Sequence, residues 1–324
     1  HAPGSLPYPT TFTCDGDLLL NLQLEPMIAP EPAPAPPPPG MDAPAAPVMA
    51  SAPSAGHSFV TSYNGEFVEN GQAFRFIGVN IRGLVHYGDP NTLQHARKGH
   101  QVEQLQAAYD MGARVVRVFL SSMHVSAEAT IERLREVLNL VRERFHGLYI
   151  LPAFANLYAD VPFRIPGDEH YYAKIDPNFP ADLLSAPFFQ GGYPENYMPY
   201  IRKVVAAFVD DPAVFAWEVG NELKLDPQGP ISMDNPRLAA FINFMHEAAR
   251  EIQTIAPKHM VTTGMISTRH ASLRNSPLEQ TLYDKSLFDF VTVHCYNEEY
   301  ENDDSALAQS LNLPYIIEEA GFGN

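Results

Sequence analysis

The feature that most constrains the fold is an alternation of short apolar runs with amphipathic segments, from about residue 75 to the end of the chain. Segments such as ATIERLREVLNLVRERF repeat apolar residues at intervals of three and four, which predicts helices. Continuous apolar strands between helices are typical of a parallel sheet covered by helices, either open or closed into a barrel. Seven such runs favour an α/β fold of the (β/α)8 TIM barrel type: RFIGVN (75–80), RVVRVFL (114–120), LYILPAF (148–154), AVFAWEVG (213–220), HMVTTG (259–264), FDFVTVH (288–294) and PYIIEE (314–319).

The chain before these runs divides into segments of different character. Residues 1–25 include the apolar stretch DLLLNLQL, to which we assign no role. Residues 26–57 form a linker rich in proline and alanine, which predicts an extended, semi-rigid spacer. The barrel is expected over residues 58–324, entered through a hairpin with turns at Asn64-Gly65 and Asn70-Gly71.

Charge and hydropathy exclude two classes of partner. The net charge of −17 would repel both nucleic acid and an anionic membrane surface. No apolar run reaches the roughly 18 residues that span a bilayer. Cys14 and Cys295 are too few for a disulfide framework, and neither predicts a metal site. The acidic run NEEYENDD (297–304) does not have the spacing of a calcium loop, so we interpret it as a solvated loop.

Polar side chains recur where the predicted strands end. In a (β/α)8 barrel all of these ends open onto one face, so residues distant in sequence converge there. Two converging glutamates can hydrolyse a glycosidic bond if one protonates the leaving oxygen while the other attacks the sugar or activates water. Each residue alone has a structural explanation, and it is the repeated placement that indicates a site: Asn80, Arg82, Arg117, Asn156, Asn221, Glu222, His294, Tyr296, Glu318 and Glu319.

Three motifs carry a resemblance to a known family. DDPAVFAWEVGNEL, FDFVTVHCYN and LPYIIEEAGFG resemble the endo-β-1,4-mannanases and related cellulases of glycoside hydrolase family 5, clan A. The resemblance runs from about Phe59 to the end of the chain. It implies a secreted, retaining endo-hydrolase of β-1,4-mannan or a related β-glycan, without cofactor or metal, acting on a polysaccharide or oligosaccharide.

The resemblance also implies roles for individual residues. By position, Glu222 matches the acid/base and Glu319 the nucleophile, while the substrate-binding shell corresponds to Arg117, Asn156, Asn221, His294 and Tyr296. Glu218 and Glu318 are interpreted as adjacent, non-catalytic acids, because neighbouring positions of a regular strand point to opposite faces. Trp217, the single tryptophan, is expected in the core rather than as a sugar platform.

The chain departs from the family in ways that leave alternatives open. Only five residues follow Glu319, so the eighth strand and helix, with their subsite tryptophan, are not expected within this chain. A further C-terminal segment, a second chain or the N-terminal segment could complete the barrel. Leu223-Lys224 replaces the usual Pro-Arg. Two hypotheses compete with this one: a non-catalytic glycan-binding or structural protein, and an exo-mannosidase or glucanase. Aromatic residues between 157 and 200 could line subsites or pack the insert.

Overall fold

The fold is seen in a computed structural model of the chain. It describes residues 18–21, 56–81, 83–85, 100–120, 125–155, 188–225, 229–271, 273–274, 276–295 and 298–320. The strands are β1 (Leu18–Asn21), β2 (Val60–Tyr63), β3 (Glu66–Glu69), β4 (Gln72–Ala73), β5 (Gly78–Ile81), β6 (Val115–Phe119), β7 (Tyr149–Ala153), β8 (Ala216–Glu218), β9 (Met260–Thr262), β10 (Val291–Cys295) and β11 (Tyr315–Ala320). The helices are α1 (Gln101–Asp110), α2 (Ala127–Arg144), α3 (Tyr193–Asn196), α4 (Met198–Ala206), α5 (Pro236–Ile255), α6 (Leu278–Leu282) and α7 (Glu298–Leu311).

The seven predicted apolar runs form strands β5 to β11. Strands β5 to β9 pair in parallel in chain order, and β10 pairs in parallel with β11. Hydrogen bonds from Thr262 Oγ1 to the Phe290 carbonyl at 2.9 Å and from the His294 amide to the Ile266 carbonyl at 2.8 Å connect β9 to β10. The parallel α/β arrangement predicted from the apolar periodicity is therefore confirmed.

Strand β1 comes from the segment to which the sequence assigned no role. It pairs antiparallel with β5, from Leu18 opposite Ile81 to Asn21 opposite Gly78, and it also lies against β11. It takes the ring position that the resemblance gives to an eighth strand. A further C-terminal segment or a second chain that completes the barrel stays a prediction, as do the domain bounds.

The hairpin that precedes the barrel covers the end of the barrel where the parallel strands begin. Asn64-Gly65 and Asn70-Gly71 have positive φ, as the predicted tight turns require, and they join β2 to β3 and β3 to β4. Phe67 and Phe74 on this hairpin pack against Phe215 inside the barrel, with ring centroids 5.3 and 5.9 Å apart. The hairpin is thus a plug under the interior of the barrel.

Alternation along each strand separates an inner core from an outer one. Val115 belongs to the inner aromatic core with the plug, whereas Val116 and Val118 pack outward against the helices. Trp217 also points outward, stacked on Phe154 at 5.2 Å and fully buried, so it lies in the core as expected. The alternation leaves the inner positions nearest the strand C-termini free to carry polar side chains.

The helices begin and end where local signals predict. Ser126 caps α2 by accepting a hydrogen bond from the Ala129 amide at 3.2 Å. Asn235 caps α5 in the same way, and Pro236 occupies its first turn. In the described parts of the chain, no helix combines the length and apolarity needed to cross a bilayer.

The acidic run at 297–304 is not the solvated loop that the sequence suggested. Residues from Glu298 onward form the start of α7, and Asp304 is fully buried. Asp304 accepts hydrogen bonds from the Thr268 amide and hydroxyl, both at 3.2 Å, and from Ser267 at 2.5 Å. The interpretation failed because Asp304 bonds to the loop after β9, a contact that charge alone does not reveal.

The aromatic plug should carry a large share of the stability. Phe215 is about 1% exposed and touches several plug residues, so Phe215→Ala should lower the free energy of unfolding by about 3–5 kcal/mol. Tyr63→Ala is the matched control, because Tyr63 is 67% exposed on the same hairpin. It should change stability by about 0.5 kcal/mol or less. Denaturant unfolding measures both, and equal effects would contradict the plug.

Candidate active site

Arg117 is the centre of a polar cluster at the C-terminal ends of the strands. It points into the barrel from β6 and is 3% exposed. Its Nε donates to both carboxylate oxygens of Glu218, at 3.0 and 2.9 Å, and its Nη2 donates to Asn221 Oδ1 at 2.9 Å. Its Nη1 donates to Glu319 Oε1 at 2.8 Å and to Asn80 Oδ1 at 3.4 Å. Four strand ends are therefore joined through one guanidinium.

The charge of this guanidinium is stabilised by its neighbours. Burial by itself would lower the pKa of Arg117, but the carboxylates of Glu218, Glu318 and Glu319 raise it above its usual range. A buried cation with such partners stays charged at every pH at which the protein folds. It therefore serves as a fixed countercharge for the acids around it.

Asn221 and Glu222 leave the end of β8 in a turn with an uncommon backbone. Glu222 has a φ of 56°, the left-handed region that few residues other than glycine adopt. The turn is fastened by two backbone hydrogen bonds, from the Asn221 amide to the Ala155 carbonyl at 2.5 Å and from the Glu222 amide to the Gly264 carbonyl at 2.8 Å. Strained backbone held this firmly is a frequent property of functional sites.

Gly264 makes this turn possible. It has a φ of +68°, and a Cβ added there would lie 2.0 Å from the Gly220 carbonyl oxygen and 3.1 Å from Glu218 Oε2. No side chain fits at those distances. The glycine therefore allows the loop after β9 to approach the backbone that carries Glu222.

His294 on β10 reaches Glu222. Its Nδ1 lies 2.7 Å from Glu222 Oε1, and its Nε2 lies 3.4 Å from Glu318 Oε2. Burial disfavours charge on the ring, but the Glu319, Glu222 and Glu318 carboxylates together raise the pKa of His294 to about 9. The ring is therefore expected to be an imidazolium near neutral pH.

A β-bulge on β11 turns two consecutive acids into the cluster. Val293 pairs with Ile317 and His294 with Glu319, so Glu318 is the extra residue on β11. Glu318 and Glu319 are 1% and 5% exposed. The sequence interpretation placed Glu318 on the opposite face, because it assumed regular alternation. The bulge breaks that alternation, and the interpretation is wrong on this point.

Glu218 is a second acid that the sequence interpretation set aside. It is fully buried and bound to Arg117, so it lies in the cluster beneath the strand ends. The sequence did contain a signal for this role, because Glu218 and Glu318 both lie within apolar strands. An acid that is fully buried needs a charged or hydrogen-bonding partner. The sequence alone did not identify Arg117 as that partner.

The predicted acid/base and nucleophile come together. One carboxylate oxygen of Glu222, one of Glu319 and a ring nitrogen of His294 all lie within 4.8 Å of one another. Such a group has the spacing of metal ligands, but the 2.7 Å contact between His294 and Glu222 is a direct hydrogen bond that accounts for both atoms. We assign no metal to it. The absence of metal and cofactor stays a prediction.

The remaining predicted residues are only partly described. Arg82, Asn156 and Tyr296 lie outside the described residues, as do Tyr158, Phe163, Tyr171 and Tyr172 of the insert. Four of the insert aromatics are buried and pack against Phe244 on α5: Phe188, Phe189, Tyr193 and Tyr197. These four rings are core residues rather than exposed sugar platforms.

Comparison with curated proteins finds mannanases. The chain is 25% identical over 284 residues to "Mannan endo-1,4-beta-mannosidase 7" of Arabidopsis thaliana, covering 79% of this chain and 62% of that protein. It is 40% identical over 68 residues to "Probable mannan endo-1,4-beta-mannosidase A-2" of Aspergillus terreus, which is 21% of this chain and 15% of that protein. The chain thus spans less than two thirds of each relative. No family model matches the chain.

Comparison with solved structures finds the same kind of protein. An endo-1,4-beta-mannanase from Rhizomucor miehei has a TM-score of 0.57 at 19% identity, over 82% of each chain. A glycoside hydrolase family 5 mannosidase from the same organism has a TM-score of 0.57 at 18% identity, over 83% of this chain and 74% of the other. The fold is therefore the barrel that the sequence predicted, and the chain resembles the mannanases of glycoside hydrolase family 5.

A substitution at Gly264 should reveal how much the strained turn depends on this glycine. Gly264→Ala adds both a positive-φ penalty and a clash with Gly220, whereas Gly71→Ala adds only the penalty, because nothing lies within 4 Å of its Cβ position. Gly264→Ala should therefore lower the free energy of unfolding by about 1–3 kcal/mol more than Gly71→Ala. Paired denaturant titrations measure the difference, and two equal values would contradict the close approach.

Proposed function

We propose that this chain is a retaining endo-glycoside hydrolase that cleaves β-1,4-linked mannan or a related β-glycan. The observation that carries the proposal is the close approach of the Glu222 and Glu319 carboxylates, within 4.8 Å between oxygens, at the C-terminal ends of the barrel strands. Retaining glycosidases hold their two carboxyl groups about 5–5.5 Å apart, and inverting ones about 6.5–9.5 Å apart to admit a water molecule. The mannanase relatives support the choice of substrate.

In the first step, Glu319 acts as the nucleophile. Its carboxylate oxygen bonds to the anomeric carbon while the bond to the leaving sugar breaks, and Glu222 gives its proton to the departing oxygen. The hydrogen bond from Arg117 Nη1 to Glu319 Oε1 aims this carboxylate and compensates its charge. In the second step, Glu222 takes a proton from water, the water oxygen bonds to the anomeric carbon, and Glu319 is released.

The other predicted residues are proposed to support these steps. Arg117 and His294 are 3% and 0% exposed, and they contribute by holding the two catalytic glutamates. Asn221 sits next to the acid/base, where its amide can reach a sugar hydroxyl. The proposed sugar contacts of Asn156 and Tyr296 rest on the resemblance. A polysaccharide is too large to cross a membrane, so we propose that the protein is secreted and works outside the cell.

The experiment that tests the function is incubation with β-mannan, glucomannan and cellulose. An endo-acting hydrolase should release reducing ends and lower the viscosity of mannan early, because it cuts within the chains. Release of mannose alone would favour an exo-mannosidase, and release from cellulose alone a glucanase. Binding to mannan with no reducing ends would instead support the non-catalytic glycan-binding protein.

Single substitutions should assign the two glutamates. Glu319→Ala should abolish hydrolysis, and Glu222→Gln should lower kcat/KM by about 10²–10⁴-fold, the usual worth of a general acid/base. Glu128→Gln is the matched control, because Glu128 is an exposed acid paired with Lys203 on the outside of the barrel. It should leave the rate unchanged. Full activity in folded Glu319→Ala would reject the proposed nucleophile.

The anomeric configuration of the first product should show whether the enzyme retains or inverts, as the spacing of the two carboxylates predicts. Proton NMR of the anomeric signals during hydrolysis should detect the β-anomer first, as double displacement requires. The α-anomer should appear only later, by mutarotation. If the α-anomer comes first, the enzyme inverts, and Glu319 acts as a base toward water rather than as a nucleophile.

A further inference from the structure

Two buried acids in the cluster have no part in the proposed chemistry. Glu218 is fully buried and is bound by Arg117 Nε, at 3.0 and 2.9 Å. Glu318 is 1% exposed, and its side chain lies 3.4 Å from His294 Nε2 and 3.8 Å from Arg117 Nη2. Burying a carboxylate is costly unless charge and hydrogen bonds compensate it. Their place beneath the reacting pair therefore needs an explanation.

The bulge on β11 fixes where Glu318 points. Its carbonyl accepts a hydrogen bond from Asn80 Nδ2 at 2.8 Å, which ties the bulge to β5. Neither its carboxylate nor His294 Nε2 has a close, well-aligned hydrogen bond to a described residue. The carboxylate instead has looser neighbours: Glu218, which acts on it as a hydrogen-bond donor, Arg117 Nη2 at 3.8 Å and His294 Nε2 at 3.4 Å. Glu318 is therefore the carboxylate that faces His294 Nε2.

His294 consequently lies between two carboxylates. Nδ1 faces Glu222 at 2.7 Å and Nε2 faces Glu318 at 3.4 Å, while Glu319 lies 3.8 Å from Nδ1. Once Glu222 has lost its proton, both flanking groups are carboxylates that can only accept hydrogen bonds. A neutral imidazole carries one N–H and can then donate to only one of them, whereas an imidazolium carries two and can donate to both. The arrangement therefore favours the charged ring when Glu222 is ionised.

We propose that Glu318 is a positioning residue that holds His294 as an imidazolium, so that His294 stabilises Glu222 once Glu222 has given its proton to the leaving sugar. This inference rests on the proposed function. After the proton leaves, the Glu222 carboxylate stands 2.7 Å from a charged Nδ1–H donor. When Glu222 later takes a proton from water, the same donor remains in place. No proton leaves His294 in either step.

The charges of the cluster balance on this assignment. The proposed mechanism requires a proton on Glu222 before the reaction. With one further proton shared by Glu218 and Glu318, the two positive charges of Arg117 and His294 would equal the two negative charges of the remaining carboxylates. Burial opposes a charge on Glu318, but Arg117, Glu218 and His294 outweigh it and lower the pKa of Glu318. Burial raises the pKa of Glu218, and the Glu318 charge adds to this.

The charged groups that face His294 come from three directions. Glu222 approaches from the turn after β8, Glu318 and Glu319 from β11, and Arg117 from β6. The three acids raise the pKa of the ring, and Arg117 lowers it. If Glu318 loses its charge, one of the three acids that raise the His294 pKa is lost, while the lowering effect of Arg117 remains. The pKa of His294 should then fall.

Nitrogen NMR of the histidine side chains tests the proposal directly. The His294 signal is assigned by its loss in His294→Gln. In the wild-type protein the ring should be doubly protonated at pH 7 and titrate near pH 9. In Glu318→Gln the titration should move down by about one to three pH units, the usual effect of a close opposite charge. Glu128→Gln, which neutralises an exposed acid, should leave it unmoved.

Kinetics on mannan supply a second measurement. Glu318→Gln should lower kcat about tenfold, with KM little changed, because Glu318 does not touch the sugar. The deficit should grow as the pH rises through the lowered His294 pKa, because the neutral ring no longer stabilises the Glu222 anion. A variant that is only less stable would show a uniform loss of active protein without this pH dependence.

The outcomes separate this inference from the proposed function. A neutral His294 at pH 7 in the wild type overturns the inference, even if Glu318→Gln does not fold. Mannan hydrolysis with an unmoved His294 titration in folded Glu318→Gln also overturns it, and leaves the function standing. A protein that is inert on every glycan, but whose His294 titration moves as expected, rejects the function and leaves the coupling of Glu318 to His294 intact.

Discussion

The arrangement of the strand ends depends on the burial of one cation, Arg117. Its guanidinium is bonded to Glu218 and Asn221 at the end of β8 and to Glu319 on β11, so its position sets theirs. Removing one partner from such a network leaves the others with uncompensated charge in a medium of low dielectric constant. This dependence is mutual, because Arg117 itself is tolerated in the interior only through the carboxylates. The polar end of the barrel is therefore a single electrostatic unit.

The backbone adds a second level of constraint. Glu222 sits in a left-handed turn and Glu318 in a bulge, and both depart from regular strand geometry. Regular strands would present alternate residues to the interior, and could not offer Asn221 with Glu222, or Glu318 with Glu319, as consecutive pairs. The two irregularities let neighbouring residues share one face. Hydrogen bonds to Gly264 and Asn80 hold them in that form.

Much of the fold could be predicted from sequence because it follows from periodicity. Apolar runs of strand length and helices with apolar spacing are local signals, and so are the Asn-Gly turns. The sequence also predicted that the polar strand-end residues converge, because the parallel strands of a barrel end on one face. These residues are Arg117, Asn221, Glu222, His294 and Glu319. The inward orientation of Glu318 could not be predicted, because a bulge arises from the pairing of β11 with β10. Nor could the role of β1, whose partner β5 lies about sixty residues further along the chain.

The aromatic plug beneath the barrel determines how molecules can enter and leave the site. Phe67, Phe74 and Phe215 fill the lower interior, so among the residues that the structure describes the barrel is closed at this end. Any molecule that binds near Glu222 and Glu319 must therefore enter and leave at the end of the barrel where the parallel strands have their C-termini. A long polymer could therefore not pass through the barrel and would have to lie across its open end.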